Sequence, residues 1–359
     1  MSAPVVHVAS GREWRGGQRQ VWLLAQALGR SGVQQVVVTG AGTELARRLR
    51  SSGVPVRTIP WKAGLDPRVL PAILGEIRRS RAVLHAHDSH ALSLSGVCAV
   101  LTETPLIVTR RVDFPLRRKG FWARANRVIA ISHAVAAVLA RGGVDPERIT
   151  VIHSGISVDH TRNAARLGAR GLLGLAPHAR VAANVGALVP HKDHATLVNA
   201  AKQLEHRHPD LHWVVAGEGE LRAALETQIG ALGLRGRVHL MGQILAPERL
   251  IADANLFVMS SRQEGLGTSV LEAMALGIPV ASTTAGGLPE MLGSGAGLLV
   301  SPGDPIALAD AVNQLLENAE LRIKLVERAR AEVLRFTDLR MAEEVRSVYR
   351  SFAHSLDGS

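Results

Sequence analysis

Short, largely apolar runs and helical segments alternate along almost the whole chain, and few architectures satisfy that pattern. Residues 4–9, 35–39, 54–59, 82–85, 106–109, 128–131 and 149–152 read as buried strands, and segments 18–29, 43–51, 68–80, 91–101 and 133–141 between them carry helical spacing. Strands that are apolar on both sides must be covered on both faces, and parallel neighbours need a crossover, which the intervening helices supply. The pattern therefore predicts a doubly wound parallel sheet. A second series, at 180–185, 211–216, 238–241, 255–259, 278–282 and 297–300, repeats the architecture without repeating the sequence. With 359 residues to place, two domains are expected. The break falls in the small and polar stretch 158–177, giving an N-terminal domain over 1–165, a second over 166–335 and a closing helix over 336–359. That helix follows a capping signal at Thr337 or Asp338 and has an apolar stripe at Val345, Val348, Tyr349 and Phe352.

Hydrophobic residues at 47% and charged ones at 20% exclude a disordered chain. There is no apolar run of about 18 residues and no basic start followed by an apolar core, so neither a spanning helix nor a signal peptide is expected. The single cysteine, Cys98, suits a buried thiol in a reducing cytoplasm. A net charge of +11 asks for an anionic partner, and nucleotides, nucleic acid and anionic membrane surfaces all qualify.

Residues 260–290, SSRQEGLGTSVLEAMALGIPVASTTAGGLPE, concentrate the chemistry. Glu264 and Glu272 have seven residues between them, and the turn Gly265-Leu266-Gly267-Thr268-Ser269 leads into an apolar helix. Thr268 or Ser269 can cap that helix, the glycines let amides approach a ligand, and the helix start favours an anion. Glu264 precedes the helix and Glu272 lies about one turn inside it, so the two carboxylates can reach different parts of one ligand.

Other stretches add to this. Gly16-Gly17 stands at a strand-to-helix turn, where open α/β sheets bind ligands. Lys192 lies where the run 180–185 gives way to a helix, and a lysine there neutralises a diphosphate as a point charge. His85, His87 and His90 flank Asp88, yet no metal site is expected, because zinc needs convergent ligands and alternate strand residues point to opposite faces. Arg110, Arg111, Phe114, Arg117, Arg118, Lys119, Phe121 and Trp122 put five cations and three aromatics into 13 residues. That composition suits an acceptor site or an anionic membrane surface, and also single-stranded nucleic acid.

The paired glutamates, the Leu271-to-Gly277 run LEAMALG and the Gly286-Gly287-Leu288-Pro289-Glu290 turn resemble, in the same order, the E-x7-E segment of the family-4 retaining glycosyltransferases. The resemblance implies the GT-B architecture, two facing Rossmann-like domains with a C-terminal helix crossing back to the first. It implies a nucleotide-diphospho-sugar as co-substrate, no further cofactor and no metal. It places Glu272 on the ribose, Glu264 on the donor sugar, and amides of Gly265, Leu266, Gly267 and Thr268 on sugar and phosphate. Gly217 belongs to a G-x-G turn facing the nucleotide, Gly242 to a patch that reads the base, and Gly16 and Gly17 to a loop near the distal phosphate. His87, the second histidine of an H-x-H, lies by the transferred sugar. His87, Lys192 and Glu264 are thus the expected catalytic residues. The family's Gly-Arg stands here as Gly186-Ala187, so Lys192 needs a helper, with His191, Arg12, Arg15, Arg19 and Arg262 as candidates.

The expected protein is a retaining, metal-independent glycosyltransferase. Its acceptor is a glycan or a lipid-linked molecule of lipopolysaccharide or surface-polysaccharide assembly. It is cytoplasmic, with peripheral contact to an anionic membrane and no nucleic-acid partner. The alternatives are a nucleotide-sugar epimerase of the same architecture and a nucleic-acid-binding protein that uses its basic surface.

Overall fold

The computed structural model describes residues 3–61, 64–116 and 120–353. They divide into two α/β units, Met1–Gly155 together with Phe336–Ser359, and Ile156–Arg335.

The first unit is built on strands β1 (Val5–Ala9), β2 (Gln35–Gly40), β3 (Val56–Ile59), β4 (Val83–Ala86), β5 (Leu106–Arg110), β6 (Arg127–Ala130) and β7 (Ile149–Val151). Helices α1 (Gly16–Arg30), α2 (Glu44–Ser51), α3 (Leu70–Ser80), α4 (Ser89–Thr102) and α5 (His133–Arg141) connect them. All neighbours run parallel, in the order β3-β2-β1-β4-β5-β6-β7. Every residue of β1, β4 and β5 is buried, as central strands covered on both faces must be. Cys98 is buried within α4.

The second unit opens with two short helices, α6 (Val158–Arg162) and α7 (Ala169–Leu172). Its strands are β8 (Arg180–Val185), β9 (Leu211–Ala216), β10 (Val238–Gly242), β11 (Leu256–Met259), β12 (Val280–Thr283) and β13 (Leu298–Val300). The connecting helices are α8 (His194–Leu204), α9 (Arg222–Ala231), α10 (Glu248–Ile251), α11 (Thr268–Leu276), α12 (Leu288–Leu292), α13 (Pro305–Glu317) and α14 (Ala319–Glu332). The strand order is β10-β9-β8-β11-β12-β13. Within the stretch read from the sequence as small and polar, α7 is tied to this unit, with Ala169 N–H donating to Asp253 Oδ2 at 2.9 Å and Arg170 Nη2 to Asn255 Oδ1 at 2.8 Å.

The last helix, α15 (Asp338–Arg350), belongs to the first unit, as the resemblance implies. Thr337 is its cap, accepting from Arg340 N–H at 3.1 Å. Met341, Ala342, Val345 and Tyr349 pack with Leu23, Leu24, Ala27 and Leu28 of α1. Each large side chain so buried contributes roughly 1.5–3 kcal/mol, enough to hold a helix of this length in place.

In each sheet the order reverses once, between β1 and β4 and between β8 and β11. The carboxyl ends of the strands at such a switch point diverge and leave a crevice. The loops after β4, β8 and β11 carry His87, Lys192 and Glu264, the catalytic residues expected from the sequence.

Candidate functional site

In the second unit, the loops after β8 and β11 are laced together by their backbones. The N–H groups of Arg262 and Gln263 donate to His191 O at 2.8 and 3.3 Å, and Ser260 Oγ donates to Lys192 O at 3.0 Å. This brings Lys192, at the end of the 3-10 turn Pro190–Lys192, into an ion pair with Glu264. The two side chains are only 18% and 10% exposed, so their attraction acts in a medium of low polarity. Ser261 Oγ adds a further hydrogen bond to Glu264, at 3.2 Å.

Glu264 leads into α11, whose start differs from the expectation. Neither Thr268 nor Ser269 caps it. Gly267 is the N-cap, with φ of 95°, and a glycine has no side chain with which to cap. Thr268 is already helical, and Ser269 Oγ donates instead to Val185 O at 3.3 Å. A Cβ on residue 267 would also meet Leu288 Cδ2 at 2.8 Å, so only glycine fits the turn. The first turn of α11 holds no acidic residue, which suits it to an anionic ligand. Gly265 and Leu266 are buried behind this turn, and Glu272, one turn into the helix, is 2% exposed.

The G-x-G turn has a reason that the sequence did not reveal. A Cβ on Gly217 would lie 1.9 Å from Gly186 O, and one on Gly219 would lie 2.3 Å from Leu188 O. Gly217 N–H donates to Gly242 O at 2.8 Å, and Leu188 N–H donates to Glu218 O at 3.0 Å. The two glycines thus let the turn after β9 lie directly on the loop that carries Gly186 and Ala187. Gly217 and Gly242, both expected near the nucleotide, are brought together by this contact.

Among the arginines considered as helpers, Arg262 sits beside the Lys192 loop. Its Nε donates to Asp193 Oδ2 at 2.7 Å, and Asp193 in turn caps α8. Arg15 is engaged with Glu13 at 2.6 Å. Sequence reading passed over His194 and Asn184. His194 Nε2 lies 3.0 Å from Asn184 Oδ1, and Asn184 Nδ2 donates to Val258 O at 2.8 Å, which ties β8 to β11 at the switch point. Burial holds His194 down at about 4, so it is neutral. Asn184, the one polar side chain in the apolar run 181–189, was the available signal.

In the first unit, the histidines converge, which corrects the expectation that they point apart. His85 and His87 are two residues apart and therefore share a face; their rings lie 4.1 Å apart between centroids. His7, on neighbouring β1, joins them, and the ring nitrogens of all three lie within 4.8 Å of one another. Most of these nitrogens are engaged with one another and with the chain, whereas His7 Nε2 is buried without a hydrogen-bond partner among the described residues. His7 Nδ1 meets His87 Nε2 at 2.9 Å, His85 Nδ1 meets Tyr349 Oη at 2.6 Å, and His85 Nε2 meets Thr109 Oγ1 at 2.7 Å. The guanidinium of Arg111 stands 3.3 Å from His87 Nδ1, so a divalent cation there would face a fixed positive charge. Burial is the main cause that pushes His7 down to about 4 and holds His85 and His87 well below their ordinary value. Asp88 caps α4 and accepts from Ser10 N–H at 2.7 Å. Gly17, in the first turn of α1, lies next to Arg111, and the N-cap residue Arg15 makes no capping hydrogen bond through its side chain.

In the basic and aromatic stretch after β5, Arg110 and Trp122 are not on the exposed surface expected. Arg110 is 6% exposed, donates to Phe114 O and lies over the Trp122 ring at 5.1 Å, and Trp122 itself is 7% exposed. Arg111 turns inward to His87. Arg110 and Trp122 are thus buried rather than surface groups, the guanidinium closing the loop and the indole covering it; Arg111 remains partly exposed. Phe114 is partly exposed, and Arg117, Arg118 and Lys119 lie outside the described residues. Among the described residues no helix is long and apolar enough to cross a membrane.

Two parallel sheets with these switch points are the GT-B glycosyltransferase fold. A crystal structure of Anabaena HepE in complex with UDP-glucose matches it with a TM-score of 0.86 over 97% of this chain and 99% of that chain, at 22% identity. Family models take up most of the sequence, Glycosyl transferases group 1 over residues 172–332 and Glycosyltransferase Family 4 over residues 14–160. The chain belongs to this glycosyltransferase family. A D-inositol 3-phosphate glycosyltransferase of Mycolicibacterium gilvum is 28% identical over 346 residues, 83% of this chain and 77% of the relative. EpsD of Bacillus subtilis is 35% identical over 163 residues, 45% of this chain, and the chain spans 43% of the length of EpsD.

Proposed function

We propose that the protein transfers a glycosyl group from a nucleotide-diphospho-sugar to a glycan or lipid-linked acceptor, with retention of configuration and without a metal ion. The observation that carries this reading is the Lys192–Glu264 pair at the entrance to helix α11, whose N-cap is a glycine. Each of the two charges holds the other in a poorly solvated place. A nucleotide-sugar offers a substitute for both: its diphosphate takes the ammonium and its sugar hydroxyls take the carboxylate, so the pair opens without leaving a bare charge.

Lys192 then neutralises the charge that develops on the leaving diphosphate, with the start of α11 and Arg262 as helpers. Glu264 orients the sugar, Glu272 takes the ribose, and His87 meets the transferred sugar. Catalysis rests on positioning and leaving-group stabilisation. The UDP-glucose held by HepE, which shares the fold, supports a donor of this class. The acceptor side falls to Phe114, Arg117, Arg118 and Lys119, whose charge also suits an anionic bilayer.

A thermal-shift panel of UDP-, GDP-, ADP- and dTDP-sugars in EDTA tests the reading. One nucleotide class should raise the melting temperature of the wild type and leave Glu272→Ala unmoved. Sequence-tolerant DNA binding without any response to nucleotide-sugars would sink it, and an inverted anomer in the product, read by NMR, would sink retention. Vesicle sedimentation should weaken when Arg117, Arg118 and Lys119 are replaced by Ser; equal sedimentation removes the bilayer contact.

A further inference from the structure

We propose that Arg111 positions His87 by forcing one tautomer on it, so that His87 meets its substrate at Nδ1 as a hydrogen-bond acceptor only. A guanidinium has five N–H donors and no acceptor. Arg111 Nη2 lies 3.3 Å from His87 Nδ1, so that nitrogen must present its lone pair. The single proton of the neutral ring is then on Nε2 and is donated to His7 Nδ1 at 2.9 Å, which puts the proton of His7 on its own Nε2. The direction of the whole relay, Arg111 to His87 to His7, follows from the one member that cannot reverse.

The same arginine also fixes the backbone. Its Nη1 donates to His87 O at 3.0 Å, while His87 N–H donates to Val8 O at 3.0 Å. One forked side chain thus grips both the main chain and the ring, which a lysine ammonium cannot do. The groups around the His87 ring are His7 from β1, His85 from β4, Arg111 after β5 and Asp88 before α4, with Tyr349 of α15 reaching His85. His85 is satisfied separately by Tyr349 and Thr109, so it does not compete for the proton of His87.

The Arg111–Nδ1 contact is the longest bond of this network, and it is the one a substrate hydroxyl can take over. A hydroxyl that donates finds an acceptor there; a group that only accepts is refused. The inference rests on the reading that His87 meets the transferred sugar, but its first test does not.

That test is the ring-nitrogen NMR spectrum of 15N-histidine-labelled protein without ligand, with His87 assigned by difference against His87→Gln. The wild type should show a bare Nδ1 and a protonated Nε2 at His87, held from pH 5.5 to 8. Arg111→Ala should lose that single-tautomer pattern, and its His87 should take up a proton at higher pH than the wild type, because a neighbouring cation is gone. Arg111→Gln, whose amide can accept as well as donate, should also lose the single tautomer; it is the variant read if Arg111→Ala does not fold. A wild-type tautomer in whichever variant folds overturns the proposal. In transfer assays, kcat/KM should fall on the order of 100-fold in both variants, as a misplacement of about 1 Å does, with an acid limb that moves up in both because each loses the cation beside His87. Wild-type kcat/KM and pH profile in both would overturn the role in positioning. If no donor supports transfer by the wild type, the proposed function fails, and the NMR result alone still decides the tautomer.

Discussion

Replacing Lys192 by Met keeps most of the side-chain volume and leaves the poorly solvated Glu264 carboxylate without its cation. Removing one member of a fully buried pair costs about 3–5 kcal/mol, because the remaining charge keeps its desolvation penalty. Here the side chains retain 18% and 10% exposure and Ser261 still donates at 3.2 Å, which scales the loss to about 2–3 kcal/mol. A domain of this size loses about 2–4 °C per kcal/mol, so melting of the second unit should fall by about 5–10 °C. The double variant Lys192→Met/Glu264→Gln removes both charges and should regain all but about 1 kcal/mol, since a buried pair replaced as a whole is nearly neutral. Scanning calorimetry on the wild type, both single variants and the double variant completes the cycle, with each unit's transition fitted separately because two units need not melt together. A fall of less than about 2 °C in Lys192→Met, or a double variant no more stable than the single ones, refutes the buried-pair reasoning.

Gly217→Ala places a Cβ 1.9 Å from Gly186 O, so the loop must shift by about 1 Å to restore contact distance; kcat/KM should drop on the order of 100-fold, and unchanged kinetics would contradict the close packing. Tyr349→Phe leaves the buried His85 Nδ1 without its 2.6 Å partner and should cost the first unit about 1–3 kcal/mol in denaturant titration, with the second unit unaffected. His7, at about 4 when folded against 6.5 when unfolded, makes the unfolded state bind the proton first as pH falls. Stability of the first unit is therefore full above pH 6.5 and lost progressively toward pH 4, by about 2 kcal/mol at pH 5 for this residue alone. His194, also at about 4, gives the second unit the same slope, and denaturation midpoints that do not change between pH 7.5 and 5 would refute both.

Most of the strands and the long helices were legible because buried parallel strands and amphipathic helices write their periods into a few consecutive residues. The two helices α6 and α7 were not, being 5 and 4 residues long, too short to show a period. The start of α11 was misread for a related reason: Thr268 and Ser269 are good capping types, but the positive φ of Gly267 moves the cap back by one residue. Arg110 and Arg111 looked like surface residues because cations usually are exposed, yet they find a carbonyl, an indole and an imidazole that composition cannot predict.

The sequence by itself determined the two sheets and the family to which the E-x7-E segment belongs, since each is carried by residues near one another in the chain. Only the tertiary structure decided which groups meet. Lys192 reaches Glu264 across 72 residues, Arg111 reaches His87 across 24, and Tyr349 reaches His85 across 264. Those pairings depend on strand order and on where each loop leaves its sheet, and the energy of a polar group depends on the partner it finds there.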